Sequence, residues 1–175
     1  MKNKKNALVT LDKFIEDSLY NKKYGYYMKK NPFGKSGDFI TAPNISFLFS
    51  EMIAIWAISF WGKLNCPKQF NLVELGAGNG EMMKVLIRTF SRFPKFKNAC
   101  RINILEKSKL LQRTQKANIK DKKIRWLNNL NELNNSPCIF IANEFFDALP
   151  IKQFLKKEKK WYERYVKFIN AKKLE

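Results

Sequence analysis

The chain has 175 residues, 45% of them hydrophobic and 14% aromatic, enough for one domain with a real core and little room for a second. Its formal charge of +19 comes from lysines spread along the whole chain beside many asparagines; this reads as solvated surface, apart from a crowd at Lys152, Lys156, Lys157, Lys159, Lys160, Arg164 and Lys167. The absence of histidine excludes imidazole acid–base chemistry and most zinc sites, and three scattered cysteines with no C-x-x-C pair suggest neither a metal site nor a disulfide framework.

The start, MKNKKNALVTLDKF, is basic but has no apolar stretch of signal-peptide length and lacks the arginines of a mitochondrial presequence, so a bacterial cytoplasmic protein is expected. Thr10 is placed to cap a helix whose stripe is Leu11, Phe14, Ile15 and Leu19, ending near Gly25. The segment GYYMKKNPFGKSGDFITAP, rich in glycine, proline and aromatics, reads as a folded loop. Gly34-Lys35-Ser36 resembles the end of a phosphate loop, but Lys29 stands where that motif needs its first glycine, so no ATP site is expected. A long apolar helix then starts at Asn44 or Ser46 and runs to about Leu64. Its run Met52 to Trp61 is about half the ~20 residues a spanning helix needs, so a buried helix is expected and no membrane insertion.

Beyond Pro67 short apolar runs alternate with amphipathic helices. The runs are residues 71–75, 101–106, 123–127 and 138–143. One helix between them carries Met82, Met83, Leu86, Ile87 and Phe90; another, capped by Ser108, carries Leu110 and Leu111. The expected fold is α/β, a Rossmann-like doubly wound parallel sheet with ligands at the carboxyl ends of its strands. Residues 1–66 are expected to form a helical and loop extension, and residues 67–175 the sheet domain.

The first strand runs directly into Gly76-Ala77-Gly78-Asn79-Gly80 and a helix, the arrangement that lets backbone turn sharply beside a nucleotide-like ligand. The spacing is G-x-G-x-G preceded by Glu74, whereas dinucleotide binding needs G-x-G-x-x-G, and here Glu81 follows Gly80. This favours S-adenosyl-L-methionine (SAM) over NAD. Glu106, ending the second strand, is the carboxylate placed to accept ribose hydroxyl protons. The expected cofactor residues are therefore Glu74, Gly76, Gly78, Gly80 and Glu106.

The fourth strand ends in Asn143-Glu144-Phe145-Phe146-Asp147-Ala148-Leu149-Pro150. A polar side chain followed by aromatics at this strand end suits a methyl acceptor: aromatics exclude water and polar groups aim a lone pair at the methyl. The alternative is that Phe145 and Phe146 are core and Asp147 caps a short helix.

Together these segments resemble the MidA-like methyltransferases. The likeness rests on YGYY (24–27), PFGKSGDFITAPNIS (32–46), VELGAGNG (73–80), NEFFDALPIKQF (143–154) and the W-x-E-R of Trp161 to Arg164, in family order. The family's mitochondrial members are protein arginine methyltransferases that assist assembly of respiratory complex I. The resemblance therefore implies the class I SAM-dependent methyltransferase fold, with residues 1–66 on the substrate or lid side and residues 67–175 C-terminally incomplete because family members continue past the W-x-E-R strand. It also implies transfer to an arginine of a partner protein, such as a complex I subunit. A guanidinium stays protonated, so carboxylates must hold it and help remove its proton. Glu144, Asp147 and Asn143 are the catalytic candidates, with Asp38, Phe145 and Phe146 on the substrate side; Asp38 equally suits a turn after Gly37. Two other readings are a nucleic-acid N-methyltransferase, against which stands the lack of prolines after Asn143, and a truncated, non-catalytic binding module or assembly factor.

Overall fold

The computed structural model describes residues 7–34, 37–170 and 173–174. Lys35 and Ser36 of the phosphate-loop-like triplet lie outside the described residues. In chain order the elements are β1 (Leu8–Thr10), α1 (Leu11–Tyr20), α2 (Tyr26–Lys29), α3 (Ala42–Ile45), α4 (Phe47–Lys63), β2 (Phe70–Leu75), α5 (Glu81–Phe90) and α6 (Pro94–Ala99). Then follow β3 (Cys100–Leu105), α7 (Lys109–Ile119), β4 (Arg125–Leu127), β5 (Cys138–Ile141), β6 (Phe154–Lys157), β7 (Lys160–Glu163), β8 (Tyr165–Asn170) and β9 (Lys173–Leu174).

Packing divides the chain into two units, residues 30–145 and residues 1–29 with 146–175. The first holds a parallel sheet in the order β4-β3-β2-β5. β2 lies between two neighbours and is buried along its whole length, which is why its sequence reads as a nearly unbroken apolar run. Because β3 and β4 lie on one side of β2 and β5 on the other, the strand order reverses beside β2, the place where such sheets open a crevice.

Alternate residues of the strands face opposite ways. Phe70, Leu72, Ile104, Ile139 and Ile141 share one cluster with Ala54 and Ala57 of α4, Met83 and Leu86 of α5, Phe96 of α6 and Ile119 of α7. Val73, Leu75 and Leu127 form a second, smaller cluster on the opposite face with Leu133 and Phe145. Helices α4 to α7 each contribute to the larger of these clusters. In the main cluster Phe96 sits 5.1 Å from the Phe70 ring and 4.6 Å from that of Phe90. Each such ring contributes roughly 1.5–3 kcal/mol by leaving water. α6, which places Phe96 there, is a six-residue helix with Pro94 in its first turn and was too short to read as periodicity.

Ser46 caps α4 by accepting from Leu48 N at 3.2 Å, and Ser108 caps α7 by accepting from Leu111 N at 3.3 Å. α4, assigned to the extension by sequence, packs against α5 within residues 30–145. The expectation that Met52 to Trp61 is a buried helix is corrected. Ala54 and Ala57 are fully buried, but Leu48 (59% exposed), Met52 (66%) and Trp56 (49%) project from the opposite side. Residues apolar all round make a helix with two greasy faces, and the sheet side covers one. No described helix is long and apolar enough to cross a membrane.

In the other unit β1 pairs antiparallel with β8, Val9 opposite Val166, and β6 and β7 form a hairpin. α1 lays Phe14 edge-on against Phe168, ring centroids 6.0 Å apart, and Tyr20 Oη donates to the Ala148 carbonyl at 2.9 Å. α1 ends at Tyr20, short of the Gly25 end expected, with the Asn21 N–H closing on the Asp17 carbonyl. Thr10 precedes the helix as expected but, among the described residues, makes no side-chain cap bond.

Candidate functional site

The glycine segment leaves the tip of β2 and bends back into α5. Gly76, Gly78 and Gly80 have φ of 68°, 52° and 86°, the left-handed region closed to most side chains. Gly76 N donates to the Leu105 carbonyl at 3.0 Å, tying the bend to β3, and Gly80 N donates to the Ala77 carbonyl at 2.7 Å, closing the turn. Close approach adds a second demand. A Cβ on Gly76 would stand 2.7 Å from Phe145 Cδ2, and one on Gly80 would stand 3.2 Å from Ile119 Cδ1 of α7.

Two carboxyl groups flank this bend. Glu74, 2% exposed and next to last in β2, leaves its Oε2 buried with no hydrogen-bond partner among the described residues. Burial, and after it the charge of Glu106, pushes its pKa up to about 8. Glu106 lies just past the end of β3, one residue beyond the strand itself. Its Oε1 accepts from Ser108 N at 2.8 Å and its Oε2 from Gln115 Nε2 at 3.0 Å. Burial raises its pKa, while those hydrogen bonds pull the other way. Glu106 therefore sits where the sequence placed it, with its carboxylate already oriented by α7.

α7 also supplies residues that the sequence reading missed. Gln112 Nε2 donates to the Glu106 carbonyl at 2.7 Å, Gln115 Nε2 to the Gly78 carbonyl at 3.0 Å, and Asn118 Nδ2 to the Asn79 carbonyl at 3.1 Å. The available signal was three amides spaced i, i+3, i+6 on the helix face that carries Leu111 and Ile119, where apolar residues would otherwise be expected.

Asn143 and Glu144 follow β5 and meet the glycine bend in one crevice, lined also by Glu74, Asn79, Thr41 and Phe33. Glu144 takes φ 48°, which turns the chain sharply past the strand end. The crevice is small, about 40 Å³, well below the several hundred Å³ of a site that encloses a nucleoside-sized ligand. Phe145 covers Gly76, and Phe33, from the PFG segment, lies 3.4 Å from the Cβ position of Gly78. Asn79 Nδ2 donates to Asn44 Oδ1 at 2.8 Å, joining the bend to α3.

Asp38, Phe146 and Asp147 are the other residues expected on the acceptor side. Asp38 accepts from Lys30 Nζ and is half exposed, in a loop closed by Phe39 N donating to the Pro32 carbonyl at 2.9 Å. Phe146 and Asp147 belong to the second packing unit, in a single 3-10 turn. There Phe146 is exposed, and the Asp147 charge, after burial, raises the Tyr27 phenol pKa. The alternative that Phe146 is core is thereby corrected. Among the described residues no cluster of His, Cys, Asp and Glu could hold a metal ion.

Residues 52–175 match the Methyltransf_28 family model, described as S-adenosyl-L-methionine-dependent methyltransferase. The chain is similar to the mitochondrial protein arginine methyltransferase NDUFAF7 of Xenopus laevis, 32% identical over 93% of this chain and 43% of that protein. The Homo sapiens NDUFAF7 is 30% identical over 93% of this chain and 42% of its own length. In fold the chain resembles a Burkholderia thailandensis protein solved with S-adenosyl-homocysteine, with a TM-score of 0.74 and 24% identity over 95% of this chain and 44% of that one. The chain spans less than half the length of the curated relatives it matches.

Proposed function

This chain belongs to the S-adenosyl-L-methionine-dependent methyltransferase family Methyltransf_28, and we propose that it binds SAM across the carboxyl ends of β2, β3 and β5. The single observation that carries this reading is the glycine bend at the reversal of strand order, flanked by Glu74 and Glu106. The residues fit the cofactor. The orphaned Glu74 Oε2 suits its ammonium and the oriented Glu106 carboxylate its ribose hydroxyls. Gly76, Gly78 and Gly80 keep the backbone free of Cβ atoms at the closest approach. Entry requires the rings of Phe33 and Phe145 to swing off the bend, because the crevice beneath them is about 40 Å³.

Bound SAM supplies an electrophilic methyl group on a sulfonium. In our reading the protein serves transfer of that group to an arginine of a partner protein, in line with the names of the relatives; the partner proposed, from the family resemblance of the sequence motifs alone, is a respiratory complex I subunit. Glu144 and Asn143 hold and orient the guanidinium, and Glu144 accepts the proton that must leave for a nitrogen lone pair to form. Asp147, Asp38 and Phe146 are assigned to the acceptor side with them, and the Phe145 ring keeps water away. A bacterial cytoplasmic location is proposed; the named relatives are mitochondrial.

The test is calorimetric titration of the chain with S-adenosyl-homocysteine, followed by methyl transfer from labelled SAM into a cell lysate. Saturable binding and label retained in protein after nuclease treatment are expected. Label lost on nuclease treatment would move the substrate to nucleic acid, and binding without transfer to any substrate would favour a non-catalytic module.

A further inference from the structure

The strongest unassigned feature is the Gln115 side chain, which is completely buried and uses both faces of its amide. Its Oε1 accepts from Trp126 Nε1 at 2.9 Å; its Nε2 donates to the Gly78 carbonyl and to Glu106 Oε2, each at 3.0 Å. The orientation is forced. Indole N–H only donates and a backbone carbonyl only accepts, so the amide cannot be turned over without breaking both contacts.

A trans peptide points its C=O and the following N–H in opposite directions. With the Gly78 carbonyl held back against α7, the Asn79 N–H is turned away from α7. Asn79 lines the crevice, and among the described residues no acceptor takes that N–H. The same amide thus governs a backbone donor on the glycine bend and a carboxylate acceptor at the tip of β3.

We propose that Gln115 is a positioning residue of the cofactor site, an amide braced by Trp126 that sets the separation and aim of the Asn79 N–H and the Glu106 carboxylate. The inference rests on the SAM-binding reading above. It goes further by assigning a role to a residue that lines neither the crevice nor any expected contact. Gln115 also donates to the charged form of Glu106, opposing the burial that favours the neutral acid. Glu106 faces the Glu74 carboxyl from β2, while Lys109 at the start of α7 is turned to Gln112 Oε1 and Asn128 Oδ1, each at 3.4 Å.

The test compares Gln115→Met with Trp126→Phe by calorimetric titration with S-adenosyl-homocysteine at pH 6 and pH 8, alongside thermal melts. Both variants lose the Gln115–Trp126 bond, but only Gln115→Met loses the two bonds toward the cofactor side. Trp126→Phe should bind within about threefold of the parent, and Gln115→Met should bind at least about tenfold more weakly. The ratio of Gln115→Met to parent affinity should be worse at pH 6 than at pH 8, because removing the Gln115 donor leaves burial less opposed and moves Glu106 toward its neutral acid. If Gln115→Met does not fold, Gln115→Leu replaces it, a smaller apolar side chain that also loses both donations.

Equal losses in the Met and Phe variants, or a loss identical at both pH values, would reduce Gln115 to a packing residue and overturn the proposal. A parent chain that binds the ligand with the Met variant unchanged removes this inference and leaves the cofactor reading standing. A folded parent chain that does not bind removes both.

Discussion

Phe145 Cδ2 lies 2.7 Å from where a side chain on residue 76 would begin, so the ring and the glycine occupy one another's only space. Replacing Gly76 by alanine adds this clash to a left-handed φ of 68° and should destabilise the chain by about 1–3 kcal/mol. Melting curves of Gly76→Ala alone and combined with Phe145→Ala check it. The double variant should recover the steric part and keep the backbone part, so its loss should be smaller than the sum of the single losses.

Gly78→Val places a β-branched side chain at φ 52° and against the Phe33 ring, whose nearest atoms are 3.4 Å from a Cβ there. Binding of S-adenosyl-homocysteine should be lost while far-ultraviolet circular dichroism stays close to the parent. Unchanged affinity in the calorimeter would remove the bend from the cofactor site.

Glu106→Ala should weaken the same binding by about 1–3 kcal/mol, the worth of a charge-assisted pair of hydrogen bonds. A titration that gives parent affinity would assign the ribose elsewhere.

Glu74 predicts a stability that depends on pH. Its carboxyl is raised from 4.5 to about 8 in the folded chain, so between those values the folded state holds a proton that the unfolded state has released. Stability from this group is therefore full below about pH 4.5 and declines as pH rises toward 8. Glu74→Gln, which cannot ionise, should flatten that decline between pH 5 and 8 in a series of thermal melts. An equal slope in parent and variant would mean that Glu74 is already ionised.

The three thiols should separate by rate. Burial pushes the Cys100 thiol up to about 12, whereas Cys66 is exposed. At pH 8 iodoacetamide followed by peptide mass analysis should label Cys66 well before Cys100.

The parallel sheet was legible because β2, β3 and β5 are short, largely apolar runs separated by amphipathic helices, and periodicity reports burial directly. The position of the glycine bend was legible for the same reason, since Gly76 to Gly80 follow a run that reads as a central strand. Two things escaped. β1 has just three residues and pairs with β8 more than 150 positions away (Val9 opposite Val166), a contact that no local pattern records. The amides of α7 escaped because a buried Gln115 looks like a solvated one until Gly78, Glu106 and Trp126 are brought round it. The buried-helix expectation for α4 failed because hydrophobicity all round a helix says what the side chains prefer, not whether there is protein on every side to receive them.

That half-bare helix also governs how the chain behaves as a colloid. Leu48, Met52 and Trp56 form a strip without charge on a molecule of formal charge +19, and mutual repulsion between molecules is what keeps such strips apart in dilute buffer. Raising the ionic strength from 0.01 M to 1 M shortens the reach of that repulsion from about 30 Å to about 3 Å. Salting should therefore drive the chain into clusters, and moderate salt is the wrong medium in which to concentrate it.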